Sequence, residues 1–403
     1  MTGKLFFSVG EPSGDQHCGR LIHALQDRQP QLQVRGFGGP EMAAAGCELD
    51  HDLTQLAVMG IIEVLPKLRQ FFRLADQAEA IFAAGEVDAV LLADFPGFNW
   101  HIAKRAKKYN LPVYYYLPPQ LWAWAPWRIR KMRRTVDKVL SVLPFECQWY
   151  RDRGVDAQWV GHPFFDAVAD QALDAAVISD LGRQAEAGQR LVAVLPGSRQ
   201  HEVTRNWPVM LAAIRKLSTQ HPNVRFLVAA FRDKQCLWCR DQLQPSDRHL
   251  PIDFFVGKTS EIIEAADCGM MVSGSVSLEM LARNTPAAVI YRVGRVFYGA
   301  ARLMVRAPSM TLPNLIAGET IFPEMGSCGA PEPTVEFLCQ QVHALLSDTE
   351  YRQGVDQRMA NLRQQVAQPG ASRRAANVLL GWLGAQADHS QAGNARADQS
   401  AAA

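Results

Sequence analysis

Apolar residues along this chain fall in short unbroken runs separated by longer stretches with helical spacing. In the first half "KLFFSVG" (4–10), "QVRGFGG" (33–39), "DAVLLAD" (88–94), "PVYYYLP" (112–118), "KVLSVLP" (138–144) and "DAQWVG" (156–161) are strand length. Helix-like segments such as "NWHIAKRAKKY" (99–109) lie between them. Continuous apolar strands alternating with amphipathic helices predict a parallel sheet covered on both faces. The pattern pauses at a polar, alanine-rich linker near 166–189. It then restarts with "LVAVLPG" (191–197), "VRFLVAA" (224–230), "IDFFVG" (252–257), "CGMMVSG" (268–274) and "AAVIY" (287–291). The expected architecture is α/β, with two successive doubly wound domains and ligands received in a cleft at the carboxyl ends of their strands. After Pro333 the chain is predicted to be helical. "RRAANVLLGWLGAQ" (373–386) carries Val378, Leu379, Trp382 and Leu383 on one face that needs a partner. The boundaries are set at 1–168 and 169–365 for the domains and 366–386 for the last helix. The polar tail 387–403 has nothing to bury and is expected to be disordered.

At 403 residues the chain exceeds one ordinary core, which supports two domains. The net charge of +2 gives no global attraction to nucleic acid, so any charged partner must be met by a local patch. Of eight cysteines only Cys236 and Cys239 form a CxxC, without a second pair or histidines at metal-site spacing. Reduced thiols in the cytoplasm are the simpler expectation. "MTGKLFFSVGEPSGD" lacks the layout of a signal peptide. The charge-free stretch Tyr109–Trp127 contains Pro112, Pro118, Pro119 and Pro126, which would break a spanning helix, so no transmembrane segment is predicted.

Four strand-to-helix turns carry candidate chemistry. "LPGSR" (195–199) is neither a Walker loop nor a GxGxxG, but amides at a helix start beside Arg199 suit a phosphate or pyrophosphate. The alternative is a turn in which Ser198 only caps the helix and Arg199 faces solvent. "VSGSVSLEML" (272–281) adds Ser273, Gly274, Ser275 and Ser277, small enough for phosphates to approach the backbone, and Glu279, which can accept from ribose hydroxyls. For Glu279 the alternative is a favourable interaction with the helix dipole. Two anion-friendly turns together point to a nucleoside diphosphate.

"GEPSGD" (10–15) is too acidic at Glu11 and Asp15 for an anion, and suits a sugar hydroxyl or an acceptor; capping by Ser13 is its alternative. In "ADFPGFN" (93–99), Asp94 ends a strand and can serve as general base, or merely cap the turn before Pro96.

Two stretches suggest a membrane surface. "MGIIEVLPKLRQFFRLADQAEAIFAA" (59–84) clusters Leu65, Leu68, Phe71 and Phe72. "RVGRVFYGAARLMVR" (292–306), if helical, sets Arg295, Arg302 and Arg306 opposite Phe297, Ala300, Ala301 and Met304, the layout of an interfacial helix; core packing is the alternative. "WRIRKMRR" (127–134) adds positive charge beside Trp122, Trp124 and Trp127. Without a nucleic-acid motif, anionic lipid or lipid phosphate is the preferred partner.

Taken in order, "GEPSGD", "GGPEMAAAG" (38–46), "LAVMGIIEVL" (56–65), "LWAWAPWRIRKMRR" (121–134), "VGHPFFD" (160–166), "LPGSR", "SGSVSLE" and "LPNLIAG" (312–318) closely resemble the lipid-A-disaccharide synthase family over roughly residues 4–380. The resemblance implies a GT-B fold: an acceptor-binding first domain, a UDP-sugar-binding second domain, and a last helix packed back on the first. It implies an inverting, metal-independent transfer from UDP-2,3-diacylglucosamine to 2,3-diacylglucosamine 1-phosphate, giving a β-1,6-linked disaccharide phosphate and UDP. Asp94 then matches the catalytic aspartate and Arg199 the arginine near the diphosphate. Gly197, Ser198, Ser273, Gly274, Ser275, Ser277, Glu279, Tyr291, Asn314 and Glu324 complete the expected donor site. Glu11, Ser13, Gly14, Asp15, Met59 and Glu63 are expected on the acceptor side. Leu68, Phe71, Phe72, Phe297, Arg302, Met304 and Arg306 are expected at an anionic membrane surface on the cytoplasmic face of the inner membrane. No cofactor or nucleic acid is expected, and a homo-oligomer is allowed. The chain departs from the family at Pro118-Pro119, where serine-proline is common, and at "PEMGS" (323–327), which puts a hydrogen-bonding role near Ser327 in doubt. A UDP-sugar epimerase or soluble-acceptor transferase of the same fold, and a non-catalytic binder of nucleotide-sugar or lipid phosphate, are the alternatives.

Overall fold

The computed structural model describes residues 3–56, 68–295, 298–299, 305 and 307–385. The chain divides into two compact units, Met1–Asp166 with Pro369–Ala403, and Ala167–Gln368.

Among the described residues the first unit holds a parallel sheet of β1 (Lys4–Val9), β2 (Gln33–Gly38), β3 (Glu48–Asp52), β4 (Ala89–Ala93), β5 (Val113–Tyr116), β6 (Lys138–Ser141) and β7 (Asp156–Trp159). Its strand order is β3-β2-β1-β4-β5-β6-β7. The central strands are buried along their whole length; β4, "AVLLA", is an example. Helices on both faces bury such runs, so apolar continuity is what a central parallel strand requires. β3, "ELDHD", has no apolar run because it is an edge strand, half-exposed along most of its length. It went unpredicted for that reason. The strand expected at 112–118 stops at Tyr116, because Leu117 turns into the left-handed region (φ 52°) ahead of two prolines that lack a donor.

The second unit holds β8 (Arg190–Leu195), β9 (Val224–Ala230), β10 (Ile252–Val256), β11 (Cys268–Val272), β12 (Ala287–Arg292) and β13 (Glu324–Ser327), ordered β10-β9-β8-β11-β12-β13. β13, "EMGS", is again a polar edge strand without a sequence signal. The expected linker at 166–189 is largely helical, Phe164–Asp170 and Ala175–Glu186. Its alanines favour helix, Leu181 is buried, and Asp174 caps the second helix by accepting from the amides of Ala176 and Val177.

The last helix, 371–385, belongs to the first unit. Asp166 caps it, accepting from Ala371 N at 3.0 Å and Ser372 N at 2.8 Å. Trp382 stacks on Tyr114 at 5.5 Å, and Asn377 accepts from Arg28 Nε, just beyond the helix Pro12–Gln26. The tail 387–403 lies outside the described residues.

Candidate active site

Each sheet reverses its strand order once, between β1 and β4 in the first unit and between β8 and β11 in the second. At such a switch the outgoing connections run to opposite faces, leaving a crevice at the carboxyl ends of the two strands. "GEPSGD" follows β1 and "ADFPGFN" surrounds the end of β4; "LPGSR" ends β8 and "SGS" follows β11. The four turns chosen for their chemistry therefore flank the two switch points.

In the first unit Val9 pairs in register with Ala93, so the residues after them converge. Asp94 Oδ1 accepts from Gly10 N at 3.0 Å and Glu11 N at 3.2 Å. Its Oδ2 is buried without a hydrogen-bond partner. A β-carbon at position 14 would lie 1.6 Å from that oxygen, which is why the helix Pro12–Gln26 carries Gly14 there. Asp94 and Phe95 are both left-handed, φ 47° and 35°, a cost that the surrounding bonds must offset. Asn99 supplies several of them, donating to the carbonyls of Ser8, Ala93 and Asp94 while accepting from Ser8 Oγ. Tyr115 Oη adds a bond to the Asp94 carbonyl at 2.6 Å. Burial raises the Asp94 pKa well above the usual carboxylate value; the amides of Gly10 and Glu11 oppose the shift, and the charges of Glu11 and Asp15 add to it.

The other acidic residue of this turn has a holding role. Asp15 is buried and accepts from Gly39 N, Met42 N and Glu41 N, tying the helix Pro40–Ala44 to the β1 edge. Ser13 is exposed and does not cap its helix; Glu11 is half-buried at the cap position. Met59 and Glu63 lie outside the described residues.

In the second unit Gly197 takes φ 125°, and a β-carbon there would press against Glu202 at 2.6 Å. The amides expected to be open at this turn are engaged. Ser198 N and Arg199 N donate to Glu202 Oε2 at 3.1 and 3.2 Å, because a glutamate three residues into a helix folds back on its first amides. Arg199 itself is 71% exposed, with NH1 3.6 Å from Glu202 Oε1. Gln235 steadies the turn from the helix after β9, donating to Ser198 O at 2.7 Å. On the other side of the switch, Gly274 and Ser275 are exposed, and nothing lies within 4 Å of a β-carbon built at Gly274. Ser277 Oγ is turned inward to Gly274 O, and Ser273 Oγ to Met310 O. Glu279 is buried and accepts from Arg283 Nε at 3.0 Å through Oε1.

A family model for lipid-A-disaccharide synthetase matches residues 5–380. The lipid-A-disaccharide synthase of Syntrophus aciditrophicus is 35% identical over 94% of this chain and 98% of its own length. That of Myxococcus xanthus is 34% identical over 94% and 97%. The chain belongs to the lipid-A-disaccharide synthase family. It is therefore a glycosyltransferase of lipid A biosynthesis with lipid-A-disaccharide synthase activity. Its fold is shared with the UDP co-structure of S. aureus MnaA (TM-score 0.64, 12% identity, 95% of this chain and 97% of that one) and with Acinetobacter baumannii MurG (0.56, 14%, 94% and 99%). These likenesses establish the GT-B architecture.

Two residues expected at the donor, Asn314 and Glu324, are bonded to each other and to neighbouring backbone. Asn314 is buried, accepting from Ile321 N and Phe322 N and donating to Phe322 O and Glu324 Oε2. Glu324 accepts from Met310 N at 2.7 Å and from Thr311 N and Oγ1, each at 3.0 Å. Together they hold Met310, Thr311, Ile321 and Phe322 in place, and the Met310 carbonyl accepts from Ser273 Oγ. Tyr291 is half-buried on β12, opposite Gly326. Ser327 Oγ accepts from Arg292 NH1 at 3.2 Å and Thr334 Oγ1 at 2.9 Å.

Phe71, expected at a membrane, is a core residue packed on Phe95 and Phe98 with ring centroids 5.7 and 5.6 Å away. Leu68 and Phe72, on the outer side of the same helix Leu68–Ala83, are 40% and 50% exposed. Phe297, Arg302, Met304 and Arg306 lie outside the described residues. Among the described residues no helix is long and apolar enough to cross a membrane, and no cluster of three or more His, Cys, Asp or Glu is placed to hold a metal ion.

Sequence reading passed over Glu202, Asn99, Tyr115 and Gln235. Glu202 was legible in principle, since "SRQHE" has the three-residue offset of a helix-capping glutamate.

Proposed function

We propose that Asp94 is the general base of the transfer and that the donor's diphosphate lies at the β8–β11 switch, against Arg199 and the open Gly274–Ser275 turn. The acceptor's 6-hydroxyl gives its proton to Asp94 Oδ2 as its oxygen bonds to the donor's anomeric carbon. The bond from that carbon to the diphosphate breaks on the opposite side, which inverts the centre and releases UDP. A raised pKa makes Asp94 a stronger proton acceptor than an ordinary carboxylate. Arg199 meets the negative charge that grows on the leaving diphosphate. Glu279 keeps Oε2 for the ribose hydroxyls while Arg283 holds Oε1. The observation that carries this reading is that these groups collect at the two switch points.

The acylated substrates also call for a lipid surface. Phe72 packs edge-on against His101, and Lys131 lies over Trp100. Arg128 lies over the partly exposed Trp124, and Trp127 is 63% exposed. Leu68, Phe72, Trp124 and Trp127 are thus exposed apolar side chains of the first unit, with Lys131 and Arg128 beside aromatic rings. We assign these exposed side chains to an anionic membrane, which would hold the enzyme at the cytoplasmic face of the inner membrane.

The test of the donor site is Arg199→Ala. Its exposed side chain contributes little to the fold, so stability should change by no more than about 0.5 kcal/mol. UDP affinity should fall roughly tenfold or more with the loss of a charge-assisted contact. Calorimetric titration with UDP reads this directly, and an unchanged affinity removes Arg199 from the donor site.

A further inference from the structure

We propose that Glu146 is a positioning residue for the acceptor side of the reaction: its buried carboxyl holds the Trp122 indole and so fixes the 117–125 loop beside Asp94. The inference rests on the reading that this edge of the first unit receives the acceptor.

The loop follows β5, whose Tyr116 pairs with Ala93 of β4, and Asp94 N donates to Leu117 O at 3.3 Å. The loop contains the short helix Leu121–Trp124, with Leu121 N bonded to Pro119 O, Ala123 N to Gln120 O and Ala125 N to Leu121 O, but its first turn has little support of its own. Pro118 and Pro119 have no amide hydrogen, and Leu117 is left-handed at φ 52°. Side chains from the next strand and helix add to these backbone bonds. Trp122 Nε1 donates to Glu146 Oε1 at 3.0 Å, and Tyr150 Oη donates to Pro119 O at 2.6 Å. Glu146 opens the helix Pro144–Arg151 and is 1% exposed, with Ser141 Oγ of β6 2.9 Å from Oε2. Ser141 Oγ also lies within bonding distance of Leu143 O, at 3.1 Å. A neutral carboxyl can therefore give its proton to Ser141 while that hydroxyl donates onward. Each polar atom of the cluster is satisfied without a counter-ion.

A carboxyl placed this way is sensitive to alkali. Burial pushes the Glu146 pKa up to about 8, with the bonds from Trp122 and Ser141 opposing the rise. Cys147 and Tyr150 face it from its own helix and Tyr115 lies behind Tyr150 on β5; burial raises all three above their ordinary values. Arg151 donates to Ala157 O. Across mildly alkaline pH Glu146 is thus the member of this group that changes charge. Ionisation sets an uncompensated carboxylate under the loop, and the loop should loosen as pH passes about 8.

The test measures KM for both substrates by UDP release, using the full chain with UDP-2,3-diacylglucosamine and 2,3-diacylglucosamine 1-phosphate. Trp122→Phe and Glu146→Ala should raise the acceptor KM roughly three- to tenfold, the scale of one lost buried hydrogen bond, and leave UDP affinity unchanged. Glu146→Gln should restore the acceptor KM at neutral pH, because its carboxamide oxygen still accepts from Trp122. The same variant should lack the alkaline rise in acceptor KM expected of the wild type. Should Glu146→Ala fail to fold, Trp122→Phe and Glu146→Gln carry the test. An unchanged acceptor KM in folded Trp122→Phe, or the same alkaline profile in wild type and Glu146→Gln, overturns the inference. If Asp94→Asn stays active while Trp122→Phe impairs the acceptor, the general-base reading fails and the loop inference stands; the opposite pair of results fails the loop inference alone.

Discussion

Asp94→Asn separates proton acceptance from scaffolding. The carboxamide oxygen can occupy the place of Oδ1 and keep the bonds from Gly10 N and Glu11 N, now 3.0 and 3.2 Å. Its NH2 then lies where Oδ2 was, beside Gly14 and without an acceptor. One unsatisfied buried group costs about 1–3 kcal/mol of stability, offset in part by removing a carboxylate that burial disfavours. The variant should fold. It cannot take a proton, and loss of a positioned base costs about 10²–10⁴ in turnover, roughly 2.7–5.4 kcal/mol on the barrier. The assay is UDP release at saturating levels of both substrates, with UDP binding as the control for the second unit.

The pH dependence gives an independent check. The base works only when deprotonated, so kcat/KM should fall with falling pH through the raised Asp94 pKa, well before the ordinary value of about 3.9 is reached. Stability runs the other way. The folded state holds this proton more tightly than the unfolded chain, so the contribution is complete below the unfolded pKa and is lost as pH rises through the folded one. The Asn variant should lack that decline. Turnover within about threefold of wild type, in a folded Asp94→Asn, would refute the reasoning and leave Asp94 an anchor of the Gly10–Glu11 turn.

Gly14→Ala should be harmful despite its small size, because the added methyl meets Asp94 Oδ2 at 1.6 Å and Cγ at 2.8 Å. We expect a stability loss of about 1–3 kcal/mol in thermal unfolding and a drop in turnover, and wild-type values for both would show that the turn yields freely. Leu68→Glu with Phe72→Glu should reduce co-sedimentation with anionic vesicles and leave the unfolding temperature nearly unchanged, whereas Phe71→Glu should destabilise the core. Equal sedimentation of the double variant at low salt would remove these side chains from the membrane contact.

The fold was legible wherever a strand is central. β4, β8 and β11 are buried on both faces, so their apolar runs announce them. β3 and β13 have an open edge and needed no such run. The turns of the site were legible for a related reason. Each ends an apolar run with Gly, Pro, Ser or Asp, and parallel sheets place such ends on one edge. What each polar side chain does there was hidden. Asp15 bonds to amides beginning 24 residues away, and Glu324 to amides 13 and 14 residues away. Such pairs have no period and leave no local trace, so residues that bind and residues that hold look alike in a motif.

The oxygens of these carboxylates tell the two kinds apart. Asp15, Glu324 and Asp166 have both oxygens engaged by amides or side-chain donors. Their oxygens are already matched by donors, and a ligand could gain from them only by breaking bonds that hold a turn. Asp94 has both of its amide bonds on Oδ1, and Glu202 has both on Oε2. At each switch point one carboxylate thus fixes its turn with a single oxygen. On the proposed assignment, side-chain length would set their different roles. Asp94 is short and inserted against Gly14, so its second oxygen stays in place, desolvated, as a proton acceptor requires. Glu202 sits on the helix it caps and has one more rotatable bond with which to relax. If the donor's diphosphate binds as proposed, it would take over the amides of Ser198 and Arg199 that Glu202 now holds. On this reading the same capping chemistry holds a base at one switch and reserves an anion site at the other.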